Sequence, residues 1–200
     1  MKLKIALLGL ALIPGLAALA PSFSFGEDPS VEYDWGVAYY MSYDNNLEKC
    51  GKTILKGIKK GCTSPKQIVA VQADYTNSEG MTRYTIKHSG TDESKIDTED
   101  SAKEETAATY LEWFTKTFKC KRYVFTFLDH GGKIDQMCND DNPGPSGKKW
   151  MSGKIMGEKL RALKEKLGDK LQLLFLQQCG RGSLENLYNF KGTAEYIMSS

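Results

Sequence analysis

Apolar residues recur along this chain in two rhythms: short continuous runs, and stripes at helical spacing. Residues 35–43 (WGVAYYMSY) form a run rich enough in aromatic and aliphatic side chains for a buried strand, and Asp44-Asn45-Asn46 behind it offers turn and N-cap chemistry. Leu47, Ile54, Leu55 and Ile58 then share one face of a predicted helix that stops at Gly61. Residues 67–75 predict a second strand, and 81–88 its hairpin partner across a turn at 77–80. The polar stretch 89–100 is expected to be a loop. Residues 101–119 place Ala107, Tyr110, Leu111, Phe114 and Phe118 at helical spacing. A third strand is predicted over 121–128, followed by a long loop, 133–149, rich in Gly, Pro, Asp and Asn. Ser152 is placed to cap a helix carrying Met156, Leu160, Leu163 and Leu167. Residues 171–176 (LQLLFL) are apolar at nearly every position, as a central parallel strand should be. A short helix over 183–190 and a strand starting at 194 complete the pattern, and the chain stops inside that strand, so a fragment or one piece of a processed protein is expected. Strands alternating with helices require crossover connections. The fold class expected is therefore α/β, a mostly parallel sheet with helices on both faces.

Composition narrows this picture. The 200 residues suffice for one domain with a sizeable core. Lys and Arg number 27 against 25 Asp and Glu, a balance that argues against a nucleic-acid partner. Met1 to Lys4 is basic and 5–20 is apolar, which reads as a secretory signal peptide over 1–26, with cleavage after Ala20, Ser24 or Gly26. Pro14 and the shortness of the apolar stretch argue against a membrane span. A short mature arm (27–33) and a single domain (34–200) would follow, the domain incomplete at its C-terminal end. Export makes disulfides possible among Cys50, Cys62, Cys120, Cys138 and Cys179. Adjacency points to Cys50 with Cys62, and the odd count leaves one thiol over. The chain holds two histidines, His88 and His130, which excludes a three-histidine metal site.

Two loops carry candidate chemistry, each directly after an apolar strand: Asp129-His130-Gly131-Gly132 and Gln178-Cys179-Gly180-Arg181-Gly182. Ligands of open α/β sheets bind outside the carboxyl ends of the strands, so neighbouring strands would bring both loops to one rim. A cysteine is a good nucleophile beside a base, and imidazole can protonate a leaving amine near neutral pH. Gly131 and Gly132 leave backbone N–H groups unshielded, and with the N–H of Cys179 they could stabilise an oxyanion. His130 lies 49 residues before Cys179. Gln177-Gln178-Cys179-Gly180-Arg181 nearly matches the caspase pattern Q-A-C-[RQG]-G with a histidine about 50 residues upstream, with glycine and arginine exchanged. In this reading Cys179 is the thiol left over when the other four pair.

The chain resembles the clostripain-like cysteine peptidases, of the clan that includes caspases, legumains and gingipains. The marks, in order, are 35–43 followed by Asp44-Asn45-Asn46-Leu47-Glu48; Phe127-Leu128-Asp129-His130-Gly131-Gly132; Phe175-Leu176-Gln177-Gln178-Cys179 with Ser183-Leu184-Glu185; and 194–200 (AEYIMSS). The resemblance covers about residues 34 to 200. It implies a caspase-like three-layer sandwich, a His130/Cys179 dyad with oxyanion donors at Gly131 and Cys179, and a secreted, cell-surface or periplasmic endopeptidase acting on peptides or proteins. It also implies cleavage after Arg or Lys, although the family usually has Asp two residues before the cysteine and this chain has Gln177. The alternatives are an acidic or neutral P1 preference set by Gln177, and an inert binding protein on the same fold. Arg181 is a further candidate substrate contact, and Lys148-Lys149 a candidate autoprocessing site. No organic cofactor is implied. Calcium, which some relatives need, would fall on the run 139–142 with Asp140 and Asp141 as ligands.

Overall fold

The computed structural model describes residues 32–76 and 78–200 of the chain. The expected leader lies outside the described residues. The elements in order are β1 (Glu32–Tyr43), α1 (Glu48–Gly61), β2 (Gln67–Tyr75), β3 (Met81–Lys87), β4 (Gly90–Ile96), α2 (Glu104–Thr117), β5 (Lys119–Leu128), β6 (Gln136–Asn139), β7 (Trp150–Ser152), α3 (Gly153–Leu167), β8 (Leu171–Gln177), α4 (Leu184–Asn189) and β9 (Tyr196–Ser199). Seven strands form one sheet in the order β4-β3-β2-β1-β5-β8-β9, while β6 and β7 pair as a separate hairpin. Strands β2, β1, β5, β8 and β9 run parallel, and β3 and β4 extend the sheet antiparallel.

Alternation along the central strands divides the core. Ala38, Tyr40, Tyr123, Phe125, Phe127, Leu174 and Leu176 meet Tyr110, Phe114, Met156 and Leu160 from α2 and α3 on one face. Met41, Tyr43, Val69, Val71 and Leu128 meet Leu55 of α1 on the other. The mostly parallel α/β architecture with helices on both faces is thus the one the pattern predicts. No helix among the described residues is long and apolar enough to cross a membrane.

Two stretches expected to be loops contain strands. The polar segment 89–100 holds β4, which pairs with β3 through the two-residue turn His88-Ser89. Most of its residues face solvent, so it has no apolar alternation to betray it. Within 133–149, β6 folds back against β7 with a register shift at Cys138, whose φ is 51°. Ser152 caps α3 by accepting the N–H of Ile155, and Ser183 caps α4 by accepting that of Asn186.

Candidate active site

The rim prediction depends on β5 and β8 being neighbours, and they are: Leu128 stands opposite Gln177 in parallel register. His130 and Cys179 each follow two residues later, so equivalent steps off adjacent strands bring the two loops side by side. The Cys179 thiol is exposed, and His130 is half-buried. The loops touch through backbone. A β-carbon on Gly131 would run into the Cys179 carbonyl oxygen and come within 2.9 Å of Arg181 Nε. Glycine is needed at 131 because of this close approach. The N–H of Gly132 donates to the Gln136 carbonyl at 2.9 Å, so of the two glycine amides that one is committed to the hairpin.

Arg181 holds the two loops together from below. It is 2% exposed. Its Nη1 donates to the carbonyls of Gln136 (2.8 Å) and Ile134 (3.3 Å) and to Asn186 Oδ1 (3.2 Å). Its Nη2 donates to Gly132 and Lys133 (2.9 and 3.2 Å), and its Nε to Cys179 (3.3 Å). The expectation that Arg181 contacts substrate is corrected here: its guanidinium is buried and directed at protein oxygens on both sides of the site. A planar five-donor fork suits that task, whereas a lysine ammonium would reach only part of the ring of carbonyls.

Sequence reasoning missed the side chain that holds the imidazole. Asn46, just past β1, accepts from His130 Nε2 at 2.6 Å. With the ring proton on Nε2, the neutral imidazole presents its lone pair at Nδ1. Asn46 belongs to the Asp44-Asn45-Asn46 turn, and β1 adjoins β5, so the strand-end rule that found the two loops also reaches this third one. Behind it, Asn45 Nδ2 donates to Asp129 Oδ1 (2.8 Å) and to the Asn139 carbonyl (2.9 Å), and the Asn139 N–H donates to Asp129 Oδ2. Burial pushes the Asp129 carboxyl up to about 8, against the Asn45, His130 and Asn139 hydrogen bonds that favour its charged form. Gln178 is buried and donates to Cys138 Sγ at 3.1 Å, a second tie between the cysteine loop and β6.

The remaining candidates fall in different places. Gln177 is exposed at the end of β8. With Val37, Tyr39, Leu128 and residues of α1 it lines an open cleft of about 340 Å³ on the α1 face. Lys148 pairs with the buried Glu104 at 2.5 Å, and Lys149 is exposed while its carbonyl accepts the Asp140 N–H at 3.0 Å. Asp140 and Asp141 diverge: Asp141 is exposed, and Asp140 is fully buried beside Asp44 and Asp74. The expected disulfides are absent. All five cysteines are free thiols, and Cys50 and Cys62 sit about 18 Å apart along α1 at 1.5 Å per residue, against the roughly 7 Å limit for a bridge. What distinguishes Cys179 is exposure, since Cys62, Cys120 and Cys138 are buried.

The clostripain family model matches residues 39–200. No curated protein matches the sequence. By fold the chain is similar to an inactive zymogen C11 protease from Parabacteroides distasonis, at 18% identity and TM-score 0.65 over 84% of this chain and 48% of that one. It is equally similar to a secreted C11 cysteine protease from Bacteroides thetaiotaomicron solved with an irreversible peptide inhibitor, at 16% identity and TM-score 0.65 over 82% and 48%. The chain thus spans about half the length of the solved structures it matches, and at these identities the likeness is one of fold.

Proposed function

The chain belongs to the clostripain family of cysteine peptidases, and from that premise we propose that it is an exported endopeptidase using a Cys179/His130 dyad. The observation that carries this reading is the exposed Cys179 thiol, set beside the His130 loop by the Leu128/Gln177 register. Cys179 gives its proton to His130, and its sulfur attacks the scissile carbonyl carbon as the C=O electron pair moves onto oxygen. That oxyanion is received by the Gly131 and Cys179 N–H groups. Collapse breaks the C–N bond, and His130 protonates the departing amine. Water then attacks the thioester with His130 as base, and sulfur leaves as the peptide acid is released. Asn46 positions the imidazole, and Arg181 positions both loops.

Within this proposal the preferred P1 residue is Arg or Lys, with the Gln177 amide oxygen accepting from the basic side chain. A second reading, neutral or acidic P1, is favoured by Gln177 being uncharged. The leader over 1–26 would direct export, in keeping with one fold neighbour being described as secreted. Self-cleavage at Lys148-Lys149 accords with another being an inactive zymogen. Hydrolysis of peptides differing only at P1 (Arg, Lys, Asp, Ala) tests the reading, with Cys179→Ala as control. Cleavage lost in Cys179→Ala is the expected result, and the residue cleaved decides between the P1 readings. A wild-type chain that neither cleaves nor is alkylated at Cys179 by a peptide chloromethyl ketone would leave it a binding protein on this fold.

A further inference from the structure

The His130 and Cys179 loops leave the β2 and β3 side of the sheet without a role. On its α2 face, between those strands and the first turns of α2, lies a cleft of about 210 Å³. Gln72 of β2 and Arg83 of β3 stand opposite each other in the antiparallel register and line it together with Tyr110 of α2. It shares no residue with the two loops, and no step of the proposed reaction uses it.

Arg83 is the group that needs an explanation. It is half-buried, and no carboxylate among the described residues forms an ion pair with it. Burial lowers the guanidinium from its ordinary range, with no carboxylate charge to offset the shift. Yet its position is fixed on two sides. One edge is held by Gln72, which is 1% exposed: Nε and Nη2 both donate to Gln72 Oε1, at 3.1 and 2.6 Å. The Gln72 amide is itself anchored, its Nε2 donating to Met81 Sδ at 3.4 Å. One face is held by Trp113, whose ring centroid lies 3.9 Å from the guanidinium carbon. A guanidinium has five N–H donors, and Gln72 takes two of them on a single oxygen. The Nη1 group and the second Nη2 hydrogen are left over, and together they form the edge that matches two carboxylate oxygens. A cation oriented by a buried amide and a ring, with that edge unused, is arranged as a receptor for an anion. The second cation of the cleft, Lys103 at the N-cap of α2, also has no carboxylate partner among the described residues. The positive end of the α2 dipole acts in the same direction.

We propose that this cleft binds a small monocarboxylate, with its two oxygens on the Nη1/Nη2 edge of Arg83. One negative charge is favoured over two because Glu105 also lines the cleft, where it is already paired with Lys159 at 2.8 Å. A phosphate dianion would set its second charge against that carboxylate. Asp97 and Glu99, on either side of the cleft residue Thr98, line a different recess and do not compete for Arg83. Ile96 and the Tyr110 ring supply apolar surface for a short aliphatic body. The hydroxyls of Thr106 and Thr109, which share the Tyr110 face of α2, stand ready for a polar substituent. The site is independent of the peptidase reading, and its occupancy is measured without any substrate.

The test is titration of the full chain with butyrate at constant ionic strength, with butyramide and inorganic phosphate as parallel arms. The readout is the NMR resonance of the Trp113 indole N–H, since that ring packs on the guanidinium. A saturable shift with butyrate, and none with the uncharged butyramide, is expected. Arg83→Gln should weaken binding about 10-fold or more. If Arg83→Gln fails to fold, Arg83→Lys gives the same reading, because it keeps the charge and loses the two-pronged edge. Lys103→Gln, at an exposed position, should weaken binding about 3-fold. Lys191→Gln, on the far side of α3 beside Tyr188, should bind as wild type. A shift that does not saturate, equal binding of butyramide, or wild-type affinity in the Arg83 variants overturns the site. Tighter binding of phosphate than of butyrate overturns the choice of a monocarboxylate.

Discussion

Arg181 and Gly131 are the residues through which the two loops sense each other. Replacing Arg181 by Met removes a donor from six protein oxygens, of which the Gln136 and Lys133 carbonyls keep a backbone N–H. Buried acceptors left unpaired cost about 1–3 kcal/mol each before relaxation. Arg181→Met is therefore expected to lose about 3 kcal/mol or more in urea unfolding, with Arg181→Lys recovering little of it. A substrate-contacting arginine would instead alter P1 preference and leave stability intact, so the same pair of assays separates the roles. Gly131→Ala places a methyl against the Cys179 carbonyl and should suppress peptide hydrolysis with a smaller loss of stability. At this scale the meeting of the His130 and Cys179 loops was legible because each residue sits in its own glycine-flanked loop after an apolar strand, a local signal. The direction of Arg181 was not, because its acceptors come mainly from residues 132–136, far away in sequence. The pairing of Cys50 with Cys62 failed for a related reason: closeness in sequence becomes distance when a helix separates the two.

Helices and strands show what patterning reads and what it misses. Two glycines inside helices make opposite predictions. Gly57 in α1 has open space where a β-carbon would go, so Gly57→Ala should stabilise by up to about 1 kcal/mol through helix propensity. Gly157 in α3 packs against the Asn189 carbonyl of α4, so Gly157→Ala should destabilise by about 1–3 kcal/mol as overpacking outweighs propensity. Thermal unfolding of the two variants beside wild type checks both signs at once. Elements with one buried face, such as α2 with Tyr110 and Phe114 inward, were legible from periodicity. Strand β4 (GTDESKI) was not, because it is an edge strand exposed along nearly its whole length and held by backbone pairing to β3. Its charges suit an edge that must not recruit another strand, and the same charges erase the signal. Strands β6 and β7 escaped because a three- and a four-residue strand are too short to show any period.

Across the whole molecule, one rim gathers the Cys179 loop, the His130 loop and the acidic cluster of Asp44, Asp74 and Asp140, and Asp129 lies between the last two. Its environment makes a statement about stability against pH. Burial, reinforced by the charge of Asp141, holds the native carboxyl near 8, whereas an unfolded aspartate titrates near 4. Cys138 and Tyr43 face it from β6 and β1, and their own thiol and phenol are raised, so neither adds a negative charge at neutral pH. A group raised in the folded state keeps its proton on folding. Its stabilising contribution is complete below about pH 4 and is lost as pH rises through 8. Stability of the wild type should therefore fall across pH 5 to 8, by up to about 1.4 kcal/mol per pH unit for this proton. Asp129→Asn mimics the neutral carboxyl and leaves one oxygen for Asn45 or Asn139. It should flatten that share of the slope and converge with wild type at low pH. Urea unfolding of both chains at pH 5, 6.5 and 8 in EDTA makes the comparison, since the other acids of the rim contribute equally to each. Parallel slopes would mean that Asp129 is ionised in the native state, and that the Asn45 and Asn139 hydrogen bonds outweigh its burial.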